Sequence, residues 1–235
     1  MEAAGNAGAR IPTVTDDKRG HTHKGSARRA RLPAGARQQA IIAAAAEFFA
    51  EQGFAGSTRA LARRLGVTQA LLYRYFPSKD ALIERVFQTV FLDRWDPAWG
   101  GLLRDRSQPL EARIAGFYQA YASRSSRQSV SLFIRAGLDG LDLAHRYSFP
   151  LTERVLAPVV AEMRHEAGLV PLASLPLFAA ERELAMSLHG AIVFIGIRRF
   201  VYRIELGDVV AGLIAHHVRV FLPGALAELR RIHAG

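Results

Sequence analysis

The sequence predicts an all-α protein in two parts, a head of three short helices behind a basic tail and a larger helical domain after it. Three observations carry that prediction. Apolar residues recur at helical spacing from about Arg37 to the C-terminal end, with little strand signal. Glycine and proline cut the stretch up to Pro77 into short segments, each new one preceded by serine or threonine. Beyond Asp93 the same periodicity runs in long segments with few breaks.

From Arg37 to Gln52, Ile41, Ala45, Phe48 and Phe49 form one apolar stripe, and Gly53 ends the helix. Ser57 or Thr58 accepts from the free amides of the next first turn, and Leu61, Ala62 and Leu65 make the stripe of that helix. Gly66 tolerates the left-handed backbone of a sharp exit, Val67 plugs the turn, and Thr68 caps a second helix over about Gln69 to Phe76. Pro77 disfavours helical geometry at Phe76, and Ser78 caps a third helix carrying Leu82, Ile83, Val86, Phe87, Val90 and Phe91. Two short helices joined by a glycine turn match the helix-turn-helix, whose second helix lies in the DNA major groove. With Leu72 and Phe76 turned inward, the outer face of that helix carries Gln69, Ala70, Tyr73 and Arg74. An amide suits adenine, a methyl suits thymine, and a phenol or guanidinium suits phosphate.

Gly53-Phe54, Ser57-Thr58, Leu61-Ala62, Gly66-Val67-Thr68, Leu72-Tyr73-Arg74-Tyr75-Phe76 and Ser78-Lys79-Asp80-Ala81-Leu82 stand at the characteristic spacings of the TetR family of bacterial transcriptional regulators. The segment from about Arg37 to Phe91 resembles that family closely, and the remainder resembles it in layout. The resemblance implies a sequence-specific regulator that binds double-stranded operator DNA as a homodimer and answers to a small-molecule effector. Carried over by position, Thr58 and Arg59 are contacts at the start of the first short helix. Thr68, Gln69, Ala70, Leu71, Tyr73 and Tyr75 belong to the recognition helix and its cap, and Lys79 is a phosphate clamp at the next helix start.

Composition bounds the remaining classes. In 235 residues half are apolar, enough for one large core or two small ones. The chain has no cysteine, which removes disulfide scaffolds and thiolate metal sites and suits a reducing cytoplasm, the expected location. The start, MEAAGNAGAR, lacks the apolar stretch of a signal peptide, and the longest apolar run, Gly190 to Ile197, is too short to span a bilayer, so no membrane partner is expected. Of the net charge of +10, half sits in residues 1–37, where eight Lys/Arg face three Asp/Glu. Residues 1–34 read as a flexible basic tail in which Arg28, Arg29 and Arg31 either reach a groove or phosphates beside the head or form a solvated charge run. The head is then residues 35–92, and residues 93–235 form a helical ligand-binding and dimerisation domain.

In that domain a loop-rich boundary, RWDPAWGGLLRDRSQP, precedes helices at about 109–124, 127–145, 149–167, 175–203 and 207–232, with Gly137, Gly140, Pro158 and Pro223 as weak points or kinks. The last two are the most apolar, and in the family resembled such a pair meets its twin in a four-helix dimer interface. Leu188, Ile192, Ile195, Leu213, His217 and Val220 are the candidates for that interface. Phe117, Tyr118, Tyr121, Phe133, Met186 and His189 fall on the inner faces of successive helices and either line a pocket for a small apolar effector or fill a solid core.

Enzymatic signatures are missing: no glycine-rich phosphate loop after a strand, no nucleophile elbow, no Cys/His zinc spacing, and no cofactor is implied. Glu162-x-x-His165 and Asp142-x-x-His145 invite comparison with di-iron bundle oxidases, but such a site takes Glu-x-x-His from two helices and two further Glu. Arg164 and Arg146 beside these motifs suggest a solvent-facing strip, and the adjacent His216 and His217 point to different parts of a helix surface. An architectural DNA binder is the other alternative; it has no need of residues 93–235, where seventeen Lys/Arg nearly balance fourteen Asp/Glu.

Overall fold

The computed structural model describes residues 33–234, and among them every regular element is a helix. The basic tail and its Arg28, Arg29 and Arg31 lie outside the described residues. The head comprises α1 (Ala34–Gln52), α2 (Thr58–Leu65), α3 (Gln69–Tyr75) and α4 (Lys79–Phe87). Ser57, not Thr58, caps α2, its hydroxyl accepting from the Ala60 amide at 3.2 Å. Gly66 takes φ 66°, where a side chain would be strained, and Thr68 and Ser78 cap α3 and α4 by accepting from Leu71 and Ala81 amides. These short helices bury one stripe each into a shared core of Ile41, Phe49, Phe54, Leu61, Leu72 and Leu82, with Phe49 and Phe54 stacked at 5.2 Å. Helices of seven to nine residues are marginal alone, so this packing is what holds them.

α4 continues as a π turn over Gln88–Leu92, closed by the Asp93 amide on the Gln88 carbonyl at 2.9 Å. The stretch read as a loop-rich boundary contains a further helix, α5 (Ala98–Arg104). Asp96 accepts from the Ala98 amide at its start, while Trp99 and Leu103 are buried. Two turns of helix interrupted by Gly100 and Gly101 are too short to show a period, which is why composition alone masked it.

α6 (Leu110–Ser123) and α7 (Arg127–Leu138) follow. The single helix expected over 127–145 is broken: α7 stops at Leu138, Gly140 takes φ 68°, and the Leu141 amide bonds the Ala136 carbonyl at 2.9 Å. α8 (Leu143–Leu151) passes through a second π turn, Thr152–Leu156, into α9 (Ala157–Ala167). Pro158 follows directly on that π turn, and the helical path continues through it. α10 (Ala179–Phe200) is shorter than expected at both ends, and a 3₁₀ turn, Gly207–Val209, leads into α11 (Val210–Ala234), which runs through Pro223.

The second core joins α5, α6, α9, α10 and α11 around Leu103, Ile114, Phe117, Val159, Leu188 and Val218. Two buried ion networks lock it. Arg164 is fully buried and not on a solvent-facing strip: it donates to both carboxylate oxygens of Glu181, and to the carbonyls of Val170, Leu175 and Pro176, while His233 sits 2.9 Å from Glu181. Burial raises the carboxyl pKa of Glu181, yet the Arg164 and His233 hydrogen bonds outweigh it and hold it below the ordinary range. Glu162 is gripped by Arg106 and Arg113, of which Arg113 also donates to the Leu103 carbonyl at 2.7 Å.

Candidate nucleic-acid interface and internal cavity

Leu72 anchors α3 in the head core and turns Gln69, Ala70, Tyr73 and Arg74 outward, all exposed, with Leu71 and Tyr75 half-buried beside them. Arg59 and Thr68 are exposed as well, although the Thr68 hydroxyl is occupied as the α3 cap, and Lys79 is half-buried at the start of α4. Thr58 differs from the sequence expectation of an open contact. Its side chain is buried, its Oγ1 accepts from Gln69 Nε2 at 2.9 Å, and the same oxygen meets the Tyr73 hydroxyl at 3.1 Å. One hydroxyl at the start of α2 therefore pins two outward side chains of α3, so Thr58 positions that surface from beneath it.

Behind the head lies a cavity of about 430 Å³ bounded by the α4 π turn and by residues of α5, α6, α7, α8 and α10. Four of the six side chains expected there line it: Tyr121, Phe133, Met186 and His189. Phe117 and Tyr118 do not, because both are fully buried one layer behind, packed edge-on against each other at 5.2 Å. The sequence missed Phe91, Trp95, Trp99, Tyr147 and Arg199, which also line the wall. The spacing of Trp95 and Trp99 by one turn was the signal available, hidden inside a stretch that reads as loop.

His189 is a polar group in that wall. Its ring lies 6.0 Å from that of Tyr118 and 5.4 Å from that of Tyr121, and among the described residues its Nδ1 has no hydrogen-bond partner. Burial disfavours the imidazolium and pushes the pKa down to about 4, so the ring is neutral. The Tyr118 hydroxyl is likewise buried and unpartnered, while those of Tyr121 and Tyr147 meet at 3.5 Å; burial raises all three phenol pKa values.

α7 belongs to both regions. Leu132 and Ala136 are part of the head core, the Arg135 guanidinium donates to the carbonyls of Ala50 and Glu51 at 2.8 and 3.0 Å, and Asp139 accepts from the Phe54 amide at 2.7 Å. Side chains of α7 thus satisfy the open carbonyls at the end of α1. Ser129, Val130, Phe133 and Ile134 of the same helix form cavity wall. Phe91 completes the bridge, its ring 6.0 Å from Phe133 and 5.9 Å from Tyr147.

Three of the six candidates for a dimer face turn inward. Leu188, Ile192 and Ile195 are buried inside the second core, Leu213 and His217 are half-buried, and of the six only Val220 is exposed, at 66%. α10 is apolar almost all round, so periodicity did not say which stripe faces inward. The outward large apolar residues on this pair of helices are Phe194 and Val220, with Val209 in the turn before α11 and Gly190, Gly212 and Gly224 also exposed. Gly207–Ala234 is long and apolar enough to cross a membrane by length and composition, with mean hydropathy 1.5, which the sequence reading missed by looking for an unbroken apolar run. Only 17% of that apolar window is buried here. The two acid-x-x-His motifs do not converge: Glu162 is committed to arginines while His165, Asp142 and His145 are exposed, the last two 3.7 Å apart.

Residues 41–86, from within α1 to the last turn of α4, match the family of bacterial regulatory proteins, tetR family. The helical layout recurs in solved structures. A TetR-like transcriptional regulator from Rhodococcus sp. RHA1 is 22% identical with a TM-score of 0.57, covering 83% of this chain and 100% of its own. A putative transcriptional regulator from Pseudomonas aeruginosa PAO1 is 18% identical with a TM-score of 0.61, over 87% and 97% of the two chains. Mycobacterium smegmatis AmtR is 23% identical with a TM-score of 0.52, over 86% and 96%. At such identities the likeness is one of fold. The head and its match define a helix-turn-helix regulator that binds DNA. Residues 41–86 thus carry the DNA-binding head of the tetR family, and the chain as a whole shares the fold of TetR-like regulators.

Proposed function

We propose that the protein is a cytoplasmic, homodimeric repressor that binds a palindromic operator and leaves it when a small molecule enters the cavity. Residues 35–92 serve as the DNA-binding part and residues 93–235 as the ligand-binding and dimerisation part. The observation that supports this best is the double membership of α7, one face in the head core and the other in the cavity wall. A ligand that prefers one position of α7 shifts the head with it, and only such a preference changes DNA affinity. Gln69, Ala70 and Tyr73 supply base-edge contacts, while Arg59, Thr68, Tyr75 and Lys79 hold the backbone. Leu71 packs at the groove wall. Two copies present their α3 helices to half-sites about 34 Å apart.

The test is selection of bound sequences from a random duplex library, followed by titration of the recovered operator. Lys79→Ala is expected to weaken all sequences alike. Gln69→Ala is expected to relax discrimination at one base position by roughly 1–3 kcal/mol. A selection that recovers no consensus overturns the reading.

A further inference from the structure

We infer that the cavity takes an amphipathic acid, with an apolar, ring-sized body inside and a carboxylate or similar anion at the rim; this rests on the reading of the cavity as an effector site. The walls set the body. Trp95, Trp99, Tyr121, Phe133, Tyr147 and Phe200 surround the space, and about 430 Å³ is the size of a small-molecule pocket.

Charge sets the other end. Three arginines, Arg94, Arg124 and Arg199, are among the lining residues, and no aspartate or glutamate is among the described residues of the lining. Arg124 is spent on Asp96 at 3.2 Å, but Arg94 and Arg199 make no ion pair among the described residues. The Arg199 guanidinium lies over the Phe200 ring at 5.2 Å, which holds it beside the apolar wall. All three are exposed, so an anion is met at the entrance and stays partly hydrated while the body is desolvated inside.

Other ligand chemistries fit less well. A cation meets the guanidinium groups of Arg94 and Arg199 with no carboxylate among the described lining residues to offset them. A highly polar neutral ligand needs many partners, yet the hydroxyls of Ser129 and Ser148 are already donated to the backbone carbonyls of Ser126 and His145.

The chain has two tryptophans, and both line the cavity, so intrinsic fluorescence reads occupancy directly. The experiment titrates the full-length protein with two matched sets, cyclohexylbutanoate, cyclohexylbutanol and cyclohexylbutylamine, and the acetate, ethanol and ethylamine derivatives of adamantane. In at least one set the acid is expected to bind tightest, about tenfold or more above the alcohol, and the amine weakest. Arg94→Gln with Arg199→Gln should remove the advantage of the acid and leave the alcohol unchanged; both side chains are exposed, and far-UV circular dichroism checks the fold. Alcohol binding as tight as the acid, tighter amine binding, or an acid affinity untouched by the double variant overturns the proposal alone. No fluorescence response to any of the six compounds overturns the effector-site reading, and this proposal with it.

Discussion

Replacing His189 by methionine should flatten the acid limb of the stability curve. In the folded protein the imidazole pKa falls from its ordinary 6.5 to about 4 because the ring is buried, and Tyr118 and Tyr121 beside it are neutral over that range. Above pH 6.5 neither state holds the proton, so the ring has no effect on pH dependence. Between 6.5 and 4 the unfolded chain binds a proton that the native state refuses, so stability falls as pH falls. At about 1.4 kcal/mol per pH unit, the parent should lose roughly 3 kcal/mol more than His189→Met between pH 7 and pH 4. At pH 7 the variant should lie within about 1 kcal/mol of the parent, since the ring nitrogen that is lost was already without a partner. Urea unfolding followed by circular dichroism at fixed protein concentration across that range is the assay. Every other titrating group is common to both proteins and cancels in the difference. Parallel curves, or a parent that gains stability towards pH 4, would refute the argument.

Thr58→Val keeps the shape of the buried side chain but removes the hydroxyl shared by Gln69 and Tyr73. Operator affinity measured by fluorescence anisotropy should fall by about 1 kcal/mol or more, while unfolding changes by less than that, because both partners can turn to water; unchanged binding would mean the pin is idle. Val220→Asp places a charge on the exposed apolar face of α11 and should yield a helical monomer in sedimentation experiments, with operator binding lost. A persistent dimer would move the interface elsewhere.

The head was legible because its signals are local. A capping hydroxyl, a left-handed glycine and a proline stop each act within four residues, and Ser57, Gly66, Thr68 and Pro77 do so in the structure. What required the fold was direction. Arg164, beside Glu162 in a charged stretch, reads as surface, and its complete burial becomes affordable only when Glu181, itself held by His233, and the carbonyls of Val170, Leu175 and Pro176 fold back onto it. Leu188, Ile192 and Ile195 looked like a contact face because α10 offers apolar residues in every direction. The cavity was half visible: Tyr121, Phe133, Met186 and His189 came from helical spacing, whereas Tyr147 and Arg199 meet them through tertiary packing that no local pattern encodes.

The π turn at Gln88–Leu92 gives the connector between head and cavity a stored residue. Before it, Leu82, Ile83, Val86 and Phe87 point into the head core; within it, Phe91 reaches the cavity wall. In a plain α-helix each residue advances the azimuth by about 100°, so absorbing or releasing the extra one would rotate everything downstream by that amount without severing the rod. A one-residue change at this turn would therefore reset which faces of the connector meet the head core and the cavity wall.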